Sequence, residues 1–574
     1  MLPLPRANQI FLIVLSFIVM AFGQPAWVSW LGLISAVCSL ALFWRAMLAI
    51  PRRLHRFIVA TLWYTAVSCV YLSWMLSHHY IYIYAVWMVF SLLVGLQFGL
   101  FSLLVTRDRL LRRRFVVAGA SIWTLLEWSR LFFMSGYTWN PMGLALTGSY
   151  YPLQLASLVG VFGLTFWATA TNLLLLRIWV FGGARLSYSF LSLLVLFPYV
   201  YGFGHVVYHE KAQQGDQRHL TAILVQPHFP VESDGAFSTP ENALTYVLNQ
   251  WREVFELIEP HRGRTIDLIV FPEYLVPFGT YWPVYHLNTV RGLLASVFGP
   301  DAWEAMPEPS KPLADKATTL GGPQWFVSNA YIAQTIANLY NASVVSGLQD
   351  EDEGADGRFH SYSAAYHFCP TSGKQTRYEK QVLLPMGEYI PFSFCRDLAA
   401  RYGIVASFTP GTTTKVLSCS KAKFGISICY EETFGDLMRH NRAQGAELLV
   451  NVTNDGWYPD SRLPQQHFDH ARVRSVEMGI PLVRSANTGV TGAIDSLGRT
   501  VAVLGTGDDP TISAAGALVV DLPLYHYPTL YTHLGDRLIL VFALMAVLFS
   551  YRLLFFTRSS QEVPVIILGT PKIC

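Results

Sequence analysis

The feature that most constrains this chain is a series of long apolar segments in its first 206 residues. Seven such segments precede residue 207, and an eighth lies near the C-terminus. About 20 apolar residues are enough to cross the hydrocarbon core of a bilayer as a helix. The segments lie at 8–23, 27–44, 57–76, 81–105, 115–134, 153–176, 187–205 and 537–556. The sequence therefore predicts a multi-span α-helical membrane bundle of about eight spans.

The composition agrees with a membrane protein. Hydrophobic residues make up 52% of the chain and charged residues only 14%, against about 25% charged in soluble proteins. No small-residue cleavage site follows the apolar N-terminus, so we interpret the first segment as an anchor. The seven cysteines show no CxxC or zinc-type spacing, and we expect no metal and no cofactor. Cys369, Cys395 and Cys419 could be buried thiols or could include a disulfide.

Arginines follow every second span, which predicts the orientation of the bundle. The groups are Arg45, Arg52, Arg53 and Arg56 after span two, Arg107, Arg109, Arg112, Arg113 and Arg114 after span four, and Arg177 and Arg185 after span six. Because cytoplasmic loops are enriched in Lys and Arg, these loops are predicted to be cytoplasmic. Residues 207–530 would then lie on the outer side of the membrane, and the last span, within 531–574, would return to the cytoplasm.

Residues 207–530 have the pattern of an α/β domain. Strand-like apolar runs occur at 220–225, 266–271, 342–346 and 447–452, and helical periodicity at 240–258 and 466–479. Alternation of this kind predicts a layered α/β fold. Residues 495–499 between two apolar runs indicate a hairpin turn. Residues 282–325 are rich in Gly, Pro and Trp and interrupt the pattern, so we interpret them as an insertion or a mobile lid over the active site.

The strongest candidate for a reactive residue is Cys429. It ends the apolar run Phe424–Ile428, and the residues from Tyr430 to His440 predict a helix. A cysteine between a buried strand and a helix N-terminus is placed where the helix dipole favours the thiolate. Taken alone, Cys429 fits a small buried hydrophobe better than a nucleophile.

Three further charged residues lie in similarly distinctive contexts. Glu273 closes the apolar run Leu268–Phe271 and would have a raised pKa if desolvated there, which suits a general base. Lys380 enters an apolar stretch and could stabilise a developing oxyanion. Glu388 follows eight residues later and could hold Lys380 or the Cys429 turn in place. Each of them, taken alone, also fits an ordinary surface residue.

Together these residues resemble the Glu–Lys–Cys triad of the nitrilase superfamily, at Glu273, Lys380 and Cys429. The resemblance is closer to one family, the apolipoprotein N-acyltransferases. It is carried by Asn451-Val-Thr-Asn-Asp-Gly-Trp457, Gln466-His-Phe-Asp-His-Ala-Arg-Val-Arg474, Arg484-Ser-Ala-Asn-Thr-Gly489, Glu127-Trp-Ser-Arg130 and Gly136-Tyr-Thr-Trp-Asn140. The order of a seven-span bundle (1–206), an outer nitrilase-like αββα sandwich and one return span also matches that family.

The resemblance implies an acyl transfer from a phospholipid to the α-amino group of a lipoprotein's diacylglyceryl-cysteine. The mechanism would be ping-pong through a cysteine thioester, with phospholipid, lipoprotein and membrane lipid as partners and no nucleic acid. Tyr430 and Glu431 match residues that the family uses in the site. One departure is the segment Gln226-Pro-His-Phe-Pro230, where the family usually has a Gln-Gly-Asn type of turn. It leaves the triad intact but puts the substrate-contact loops in doubt.

Two other interpretations remain open from the sequence. One is a membrane-tethered amidohydrolase of the same superfamily, and the other a transporter or scaffold with an inactive nitrilase domain. Glu127 and Arg130 share a helix face in the fifth span, where they predict a headgroup or interdomain contact or, alternatively, an ion pair within the bundle. His78 and His79 are interpreted as interfacial residues. Trp282, Trp325 and Trp457 fit interfacial aromatics or ordinary packing.

Overall fold

Helices occupy most of the first 213 residues. The structure, a computed structural model, describes residues 5–551 except 217, 232–236, 320–321, 354–356, 358, 371–372, 396, 398–399, 402–406, 507–508 and 511–513. The helices of this membrane half are α1 (Arg6–Ala21), α2 (Pro25–Met47), α3 (Arg53–Tyr71), α4 (Tyr82–Ser102), α5 (Arg107–Leu111), α6 (Arg114–Ser129), α7 (Tyr150–Leu153), α8 (Ala156–Phe181) and α9 (Arg185–Gln213). Aromatic side chains fill the bundle's centre, where the rings of Tyr64 and Phe98 stack 4.4 Å apart.

Four of the described helices, α2, α4, α8 and α9, are long and apolar enough to cross a membrane. Shorter or more polar helices lie at the other predicted spans, so the count of eight stays a prediction. Several helix ends differ from the prediction by about five residues or more; two of them matter for the boundary with the next domain. Helix α6 stops at Ser129 and continues as one 3₁₀ turn, Arg130–Phe132, whereas α9 runs eight residues past the predicted end at 205. The last predicted span falls partly outside the described residues.

The described strands after residue 218 form two six-stranded sheets, one three-stranded sheet and one two-stranded sheet. Their strands are β1 (His219–Gln226), β2 (Leu268–Val270), β3 (Tyr285–His286), β4 (Ala314–Thr319), β5 (Gly322–Val327), β6 (Ser343–Glu353), β7 (Phe359–Phe368), β8 (Gln375–Glu379), β9 (Val416–Ser418), β10 (Lys423–Ile428), β11 (Leu448–Thr453), β12 (Leu482–Ala486), β13 (Gly492–Ile494), β14 (Thr500–Val503), β15 (Gly505–Thr506), β16 (Asp509–Pro510) and β17 (Gly516–Pro523). The first sheet has the order β17-β1-β2-β6-β7-β8, and the second β14-β13-β12-β11-β10-β9.

Seven α-helices follow residue 218 in the described part of the chain; those before residue 479 cover the outer faces of the two large sheets, and the last one packs on α6 of the bundle. They are α10 (Pro240–Ile258), α11 (Leu287–Phe298), α12 (Asn329–Tyr340), α13 (Gly435–Ala443), α14 (Leu463–Met478), α15 (Leu530–Leu534) and α16 (Arg537–Phe549). Leu224 and Val270 of the first sheet share one buried cluster with Ile426 and Val450 of the second. The inner faces of the sheets therefore pack on each other, while α10–α12 pack on the first sheet and α13 and α14 on the second. This order of layers is the predicted αββα sandwich.

The parallel strands β10, β11 and β12 place their carboxyl ends side by side. Ile428 pairs with Val452 and Thr453 with Ala486. The residues that follow these strands therefore meet at one edge of the sheet, as ligand-binding residues do in open α/β sheets. The predicted hairpin is also present, because β13 and β14 are antiparallel neighbours joined through 495–499.

The segment 282–325 is packed where the structure describes it. It contributes α11 and most of a three-stranded sheet of order β3-β5-β4. The side chains of Val290, Leu294 and Phe298 are buried against the core of the first sheet. This packing favours the insertion over the mobile lid that its composition also suggested.

The sandwich sits on the membrane half through α14. The Gln466 side chain donates to the Tyr71 carbonyl at 3.0 Å, and Val161 N donates to the Glu477 carboxylate at 2.8 Å. Gln154 donates to the Leu497 carbonyl at 2.8 Å. These buried hydrogen bonds fix the edge of the sheet that carries Cys429 above the bundle.

Candidate active site

Cys429 occupies a strained turn directly after β10. Its φ is +51°, a left-handed conformation that residues with a side chain rarely adopt and that is enriched at functional sites. The predicted helix from Tyr430 is wrong in detail. A 3₁₀ turn covers Cys429–Thr433, Phe434 is extended, and α13 begins only at Gly435. The thiol therefore lies on a tight turn and not at the N-terminus of an α-helix.

The position of Glu273 is set by the neighbouring strands β2 and β6 of the first sheet. The chain leaves β2 and passes so close to Gly347 that a Cβ at Gly347 would lie 2.5 Å from the Glu273 Cα. Only glycine leaves room for this path. The Cys429 thiol and the Glu273 carboxylate lie close enough for each to shift the pKa of the other, as a nucleophile and its base must.

Lys380 is held between two carboxylates. Its Nζ lies 3.0 Å from Glu273 Oε1 and 2.7 Å from Glu388 Oε1. Lys380 is only 2% exposed and Glu273 only 4%. Glu388 in turn accepts a hydrogen bond from Leu384 N at 2.8 Å. The lysine ammonium is therefore fixed in position by charge-assisted hydrogen bonds, which are short and strong.

Burial sets the protonation of these groups. Burial raises the pKa of the Glu273 carboxyl above its usual value, and the nearby Lys380 opposes the shift. Burial raises the pKa of the Cys429 thiol to about 12, and the negative charge of Glu273 adds to the effect. Burial alone would lower the pKa of Lys380, but Glu273 and Glu388 outweigh it and raise that pKa well above its usual value. The resting site therefore holds a neutral thiol and a charged lysine, contrary to the thiolate expected from a helix dipole.

Glu431 ties the turn at Cys429 to the segment that carries Lys380. Its carboxylate accepts hydrogen bonds from Ile428 N at 2.8 Å, Gln381 N at 2.5 Å and Val382 N at 3.1 Å. It also accepts from the Tyr378 hydroxyl at 2.9 Å. Burial raises the pKa of Glu431 to about 7, although the backbone hydrogen bonds act to lower it. Its structural effect is to fix the distance between Cys429 and Lys380.

Tyr430 joins the same turn to the membrane half. Its hydroxyl donates to the Gly136 carbonyl at 3.0 Å and accepts from Thr138 N at 3.1 Å. Its ring stacks on Trp139 with the centroids 5.5 Å apart. The motif at 136–140, which resembled the family in the sequence, is therefore the part of the bundle that touches the nucleophile's neighbour.

A buried polar cluster behind Cys429 was not assigned from the sequence. His467 Nε2 lies 3.2 Å from the Cys429 carbonyl oxygen, and its Nδ1 lies 3.0 Å from Asp455. Arg484 donates to Asp455 at 3.0 Å and also pairs with Glu432. The three motifs at 451–457, 466–474 and 484–489 supply His467, Asp455 and Arg484. These motifs were visible in the sequence, but only the sheet shows that they converge.

The thiol opens into a cavity of about 530 Å³ between the sandwich and the bundle. One side of it, here named the aromatic wall, comes from the membrane half and consists of Trp74, Tyr80, Tyr82 and Trp139. His78 and Trp457 also line the cavity and stack on each other. No described residue of 282–325 lines this cavity. Among the described residues there is also no cluster of His, Cys, Asp and Glu that could hold a metal ion.

Glu127 and Arg130 make contacts within the bundle, which is one of the alternatives that the sequence left open. Glu127 accepts hydrogen bonds from Met142 N at 3.1 Å and from the Thr165 hydroxyl at 2.7 Å. Arg130 lies 3.9 Å from Glu127 and donates to Gln97 at 2.8 Å. All of these partners belong to the membrane half. The charged pair therefore fastens helices of the bundle to each other.

Two family models match the chain. The apolipoprotein N-acyltransferase N-terminal domain matches residues 12–174, and the carbon-nitrogen hydrolase model matches residues 239–518. The second match agrees with the αββα sandwich. Among solved structures, the carbon-nitrogen hydrolase from Helicobacter pylori G27 is 14% identical with a TM-score of 0.33, covering 54% of this chain and 90% of its own. A Nesterenkonia AN1 amidase from the nitrilase superfamily is 19% identical with a TM-score of 0.31, covering 54% and 93%.

Two curated relatives are similar over almost their full length. Apolipoprotein N-acyltransferase of Chlamydia pneumoniae is 34% identical over 567 residues, which covers 94% of this chain and 96% of that protein. The enzyme of the same name from Chlamydia trachomatis serovar D is 32% identical, covering 96% and 98%. With both halves matched in this order, the chain belongs to the apolipoprotein N-acyltransferase family.

Proposed function

We propose that this protein transfers an acyl chain from a phospholipid to the α-amino group of the N-terminal diacylglyceryl-cysteine of lipoproteins. The observation that carries the proposal is the cavity itself. A thiol, a carboxylate and an ammonium group meet at its buried end, and its aromatic wall comes from the membrane half. A substrate with acyl chains needs an apolar surface beside the nucleophile, whereas the small substrate of a soluble amidase does not.

The first half-reaction acylates the enzyme. The Glu273 carboxylate takes the proton of the Cys429 thiol as the sulfur attacks the ester carbonyl of the phospholipid. The Lys380 ammonium and a backbone N–H near Cys429 stabilise the tetrahedral oxyanion. When the intermediate collapses, the C–O bond breaks, and the leaving glyceryl oxygen takes the proton from Glu273. Lysophospholipid departs, and a thioester remains on Cys429.

The second half-reaction transfers the chain. The α-amine of the lipoprotein attacks the thioester carbonyl, and Glu273 takes the proton that the amine must lose. The C–S bond breaks, and Glu273 returns the proton to the Cys429 sulfur, so that an amide and the free thiol remain. Because the thiol pKa is raised to about 12, Lys380 is needed in both steps to stabilise negative charge beside it. This sequence of steps requires no metal and no cofactor.

Exclusion of water decides between transfer and hydrolysis. A thioester that water could reach would turn the enzyme into a phospholipase. The site is closed on several sides, since Glu273, Lys380 and Tyr430 are all buried and Trp139 stacks on Tyr430. An acyl chain lying along the aromatic wall would complete this closure.

The orientation of the domain is part of the proposal. Residues 207–530 are placed in the periplasm because the arginine groups follow spans two, four and six. A reporter that is active only in the periplasm, fused near Asp350, is expected to be active. A signal from a cytoplasmic reporter at the same position would overturn both the topology and the lipoprotein substrate.

The direct test of the function is the chemistry of a lipoprotein N-terminus. In bacterial cells depleted of their own activity of this kind, expression of the chain should convert diacylated lipoproteins to the triacylated form. Mass spectrometry of the N-terminal lipopeptide should show the mass of one added acyl chain. The Cys429→Ala variant, expressed to the same level, is the matched control and should add none. An unchanged N-terminus with the wild-type chain would refute the proposal.

A further inference from the structure

Part of the cavity around Cys429 is lined by side-chain amides that the two half-reactions do not use. These amides, here named the amide wall, belong to Gln250, Gln349, Asn454 and Asn487. All four come from the α/β sandwich, whereas the aromatic wall comes from the membrane half. The cavity therefore has two linings of different chemistry that share one nucleophile.

Gln250 carries an unused hydrogen-bond acceptor. It lies on α10 and is only 6% exposed. Among the described residues, no donor lies within hydrogen-bonding distance of its Oε1, and its Nε2 makes only a long contact of 3.4 Å with the Tyr246 hydroxyl. A buried carbonyl oxygen without a donor is rare and costly. Such an oxygen suits a ligand that brings an N–H group.

Asn487 holds the segment in which the sequence departs from the family pattern. Its side chain accepts from Phe229 N at 2.8 Å and donates to the Phe229 carbonyl at 2.9 Å. Its backbone carbonyl accepts from His228 N at 3.0 Å. Its Nδ2 lies 3.2 Å from Asn454 Oδ1. The departing segment is thereby fixed as a wall of the cavity, beside Gln250.

The charge of the lining indicates a neutral ligand on this side. Among the described residues that line the cavity, Lys380 is the only lysine or arginine, and it is paired with Glu273 and Glu388. A phosphate group would call for a further cation, most often arginine. Amide side chains, by contrast, offer donors and acceptors that match the N–H and C=O groups of a peptide.

We propose that the amide wall binds the peptide main chain that follows the acylated residue of the acceptor. This inference rests on the function proposed above. In the transfer step the acceptor amine must reach the thioester while its two lipid chains lie against apolar surface. The peptide then leaves the cavity along the sandwich, where Gln250 Oε1 accepts a hydrogen bond from one of its N–H groups.

The experiment compares three acceptors on acyl-enzyme formed from dipalmitoyl phosphatidylethanolamine in detergent. The acceptors are hydroxylamine, diacylglyceryl-cysteine methyl ester, which has no peptide N–H group, and a diacylglyceryl lipopeptide with four further residues. Gln250→Met keeps the side-chain volume and removes the amide. Its matched control is Asn249→Leu, which changes an exposed amide one position earlier on the same helix.

Gln250→Met is expected to raise KM for the lipopeptide about threefold to tenfold, the effect of one lost hydrogen bond. The kcat for the lipopeptide should stay as in the wild type, because the hydrogen bond is the same in the ground state and the transition state. The variant should also keep the wild-type rates with the two short acceptors and in formation of the acyl-enzyme. Asn249→Leu should change none of them.

Three results would overturn the inference. They are an unchanged KM for the lipopeptide, an equal loss with all three acceptors, and a slower acylation by the phospholipid, which would assign the wall to the donor's headgroup. Failure of the proposed function is distinct from all of these. In that case the wild-type protein itself would form no acyl-enzyme or would leave the lipopeptide unmodified.

Discussion

The two ends of the cavity around Cys429 are built in different ways. The polar end, Cys429 with Glu273, Lys380 and Glu388, is held by ion pairs of 2.7–3.0 Å among buried groups. The aromatic wall is held mainly by ring packing, such as the 5.2 Å contact between Trp74 and Trp139. Ion pairs in a buried site fix positions and charges, whereas ring contacts fill space and tolerate adjustment.

This difference predicts how each end responds to substitution. Changes at the polar end should alter the rate of the chemical step, because transition-state charge is stabilised by groups in fixed positions. Changes in the aromatic wall should alter mainly how well lipid is bound, since apolar stabilisation follows buried area. The predictions below begin with the largest expected effect.

Replacing Lys380 should give the largest loss of rate and should distinguish the polar end from the aromatic wall most clearly. Lys380→Met removes the proposed oxyanion donor, and loss of one such donor slows catalysis about 10²–10³-fold. It also leaves Glu273 and Glu388 buried without a cation, which we expect to lower the free energy of unfolding by about 3–5 kcal/mol. Rates of acyl-enzyme formation and thermal unfolding in detergent measure the two effects.

The control for Lys380 is Lys421. It pairs with Asp267 at 3.0 Å, but its side chain is 46% exposed. Exposed pairs contribute about 0–1 kcal/mol, so Lys421→Met should acylate at the wild-type rate. Acylation by Lys380→Met at a rate close to the wild type would show that the polar end does not depend on this charge.

Glu431→Gln should give the next largest effect. A glutamine offers one oxygen where the carboxylate accepts four hydrogen bonds, and its NH₂ would face backbone N–H donors. Leaving buried donors unpaired costs about 1–3 kcal/mol, so both stability and acylation should fall. Glu256→Gln, at an exposed position of α10, should change neither. Wild-type acylation by Glu431→Gln would mean that the distance between Cys429 and Lys380 is fixed by other contacts.

Glu388→Gln tests the electrostatics of the polar end through pH. The base must be ionised, so acylation should fall as pH drops through the raised pKa of Glu273. The negative charge of Glu388 contributes to that raised pKa. Removing this charge lowers the pKa of Glu273, so the acid limb of the single-turnover rate should move to lower pH. A limb that stays in place or moves to higher pH would contradict this account of the site.

Trp74→Leu should give the smallest effect. It removes ring contacts with Trp139 and Tyr458, and aromatic pairs contribute about 0.5–1.5 kcal/mol beyond their buried area. The KM for phospholipid should rise up to about tenfold while kcat stays near the wild-type value. Trp282→Leu, 49% exposed and outside the cavity lining, serves as the control. A fall in kcat as large as that of Lys380→Met would remove the distinction between the two ends.

The sequence was sufficient to predict residues that follow apolar strands. Glu273 follows β2, Lys380 follows β8 and Cys429 follows β10, and each strand was marked by an apolar run or by the family's motif. The layers of the sandwich and the hairpin at 495–499 were predicted for the same reason, because alternation and turn residues are local signals.

Other features depend on contacts between distant segments. His467 and Asp455 meet behind Cys429 because β10 and β11 are parallel neighbours and α14 packs beside them. The position of Tyr430 against Gly136 depends on how the sandwich sits on the bundle. The helix predicted after Cys429 was wrong because Glu431, buried and fully hydrogen-bonded, holds this stretch in a 3₁₀ turn against its local preference.

The most direct test of the central claim is the intact mass of the protein after incubation with phospholipid alone. The account predicts that the wild-type chain gains the mass of one acyl chain and loses it again in hydroxylamine, as a thioester does. Cys429→Ala should gain nothing, and Glu273→Gln should gain nothing because a neutral amide cannot take the thiol proton. An acyl adduct on Cys429→Ala, or normal acylation of Glu273→Gln, would contradict the assignment of the nucleophile or of the base.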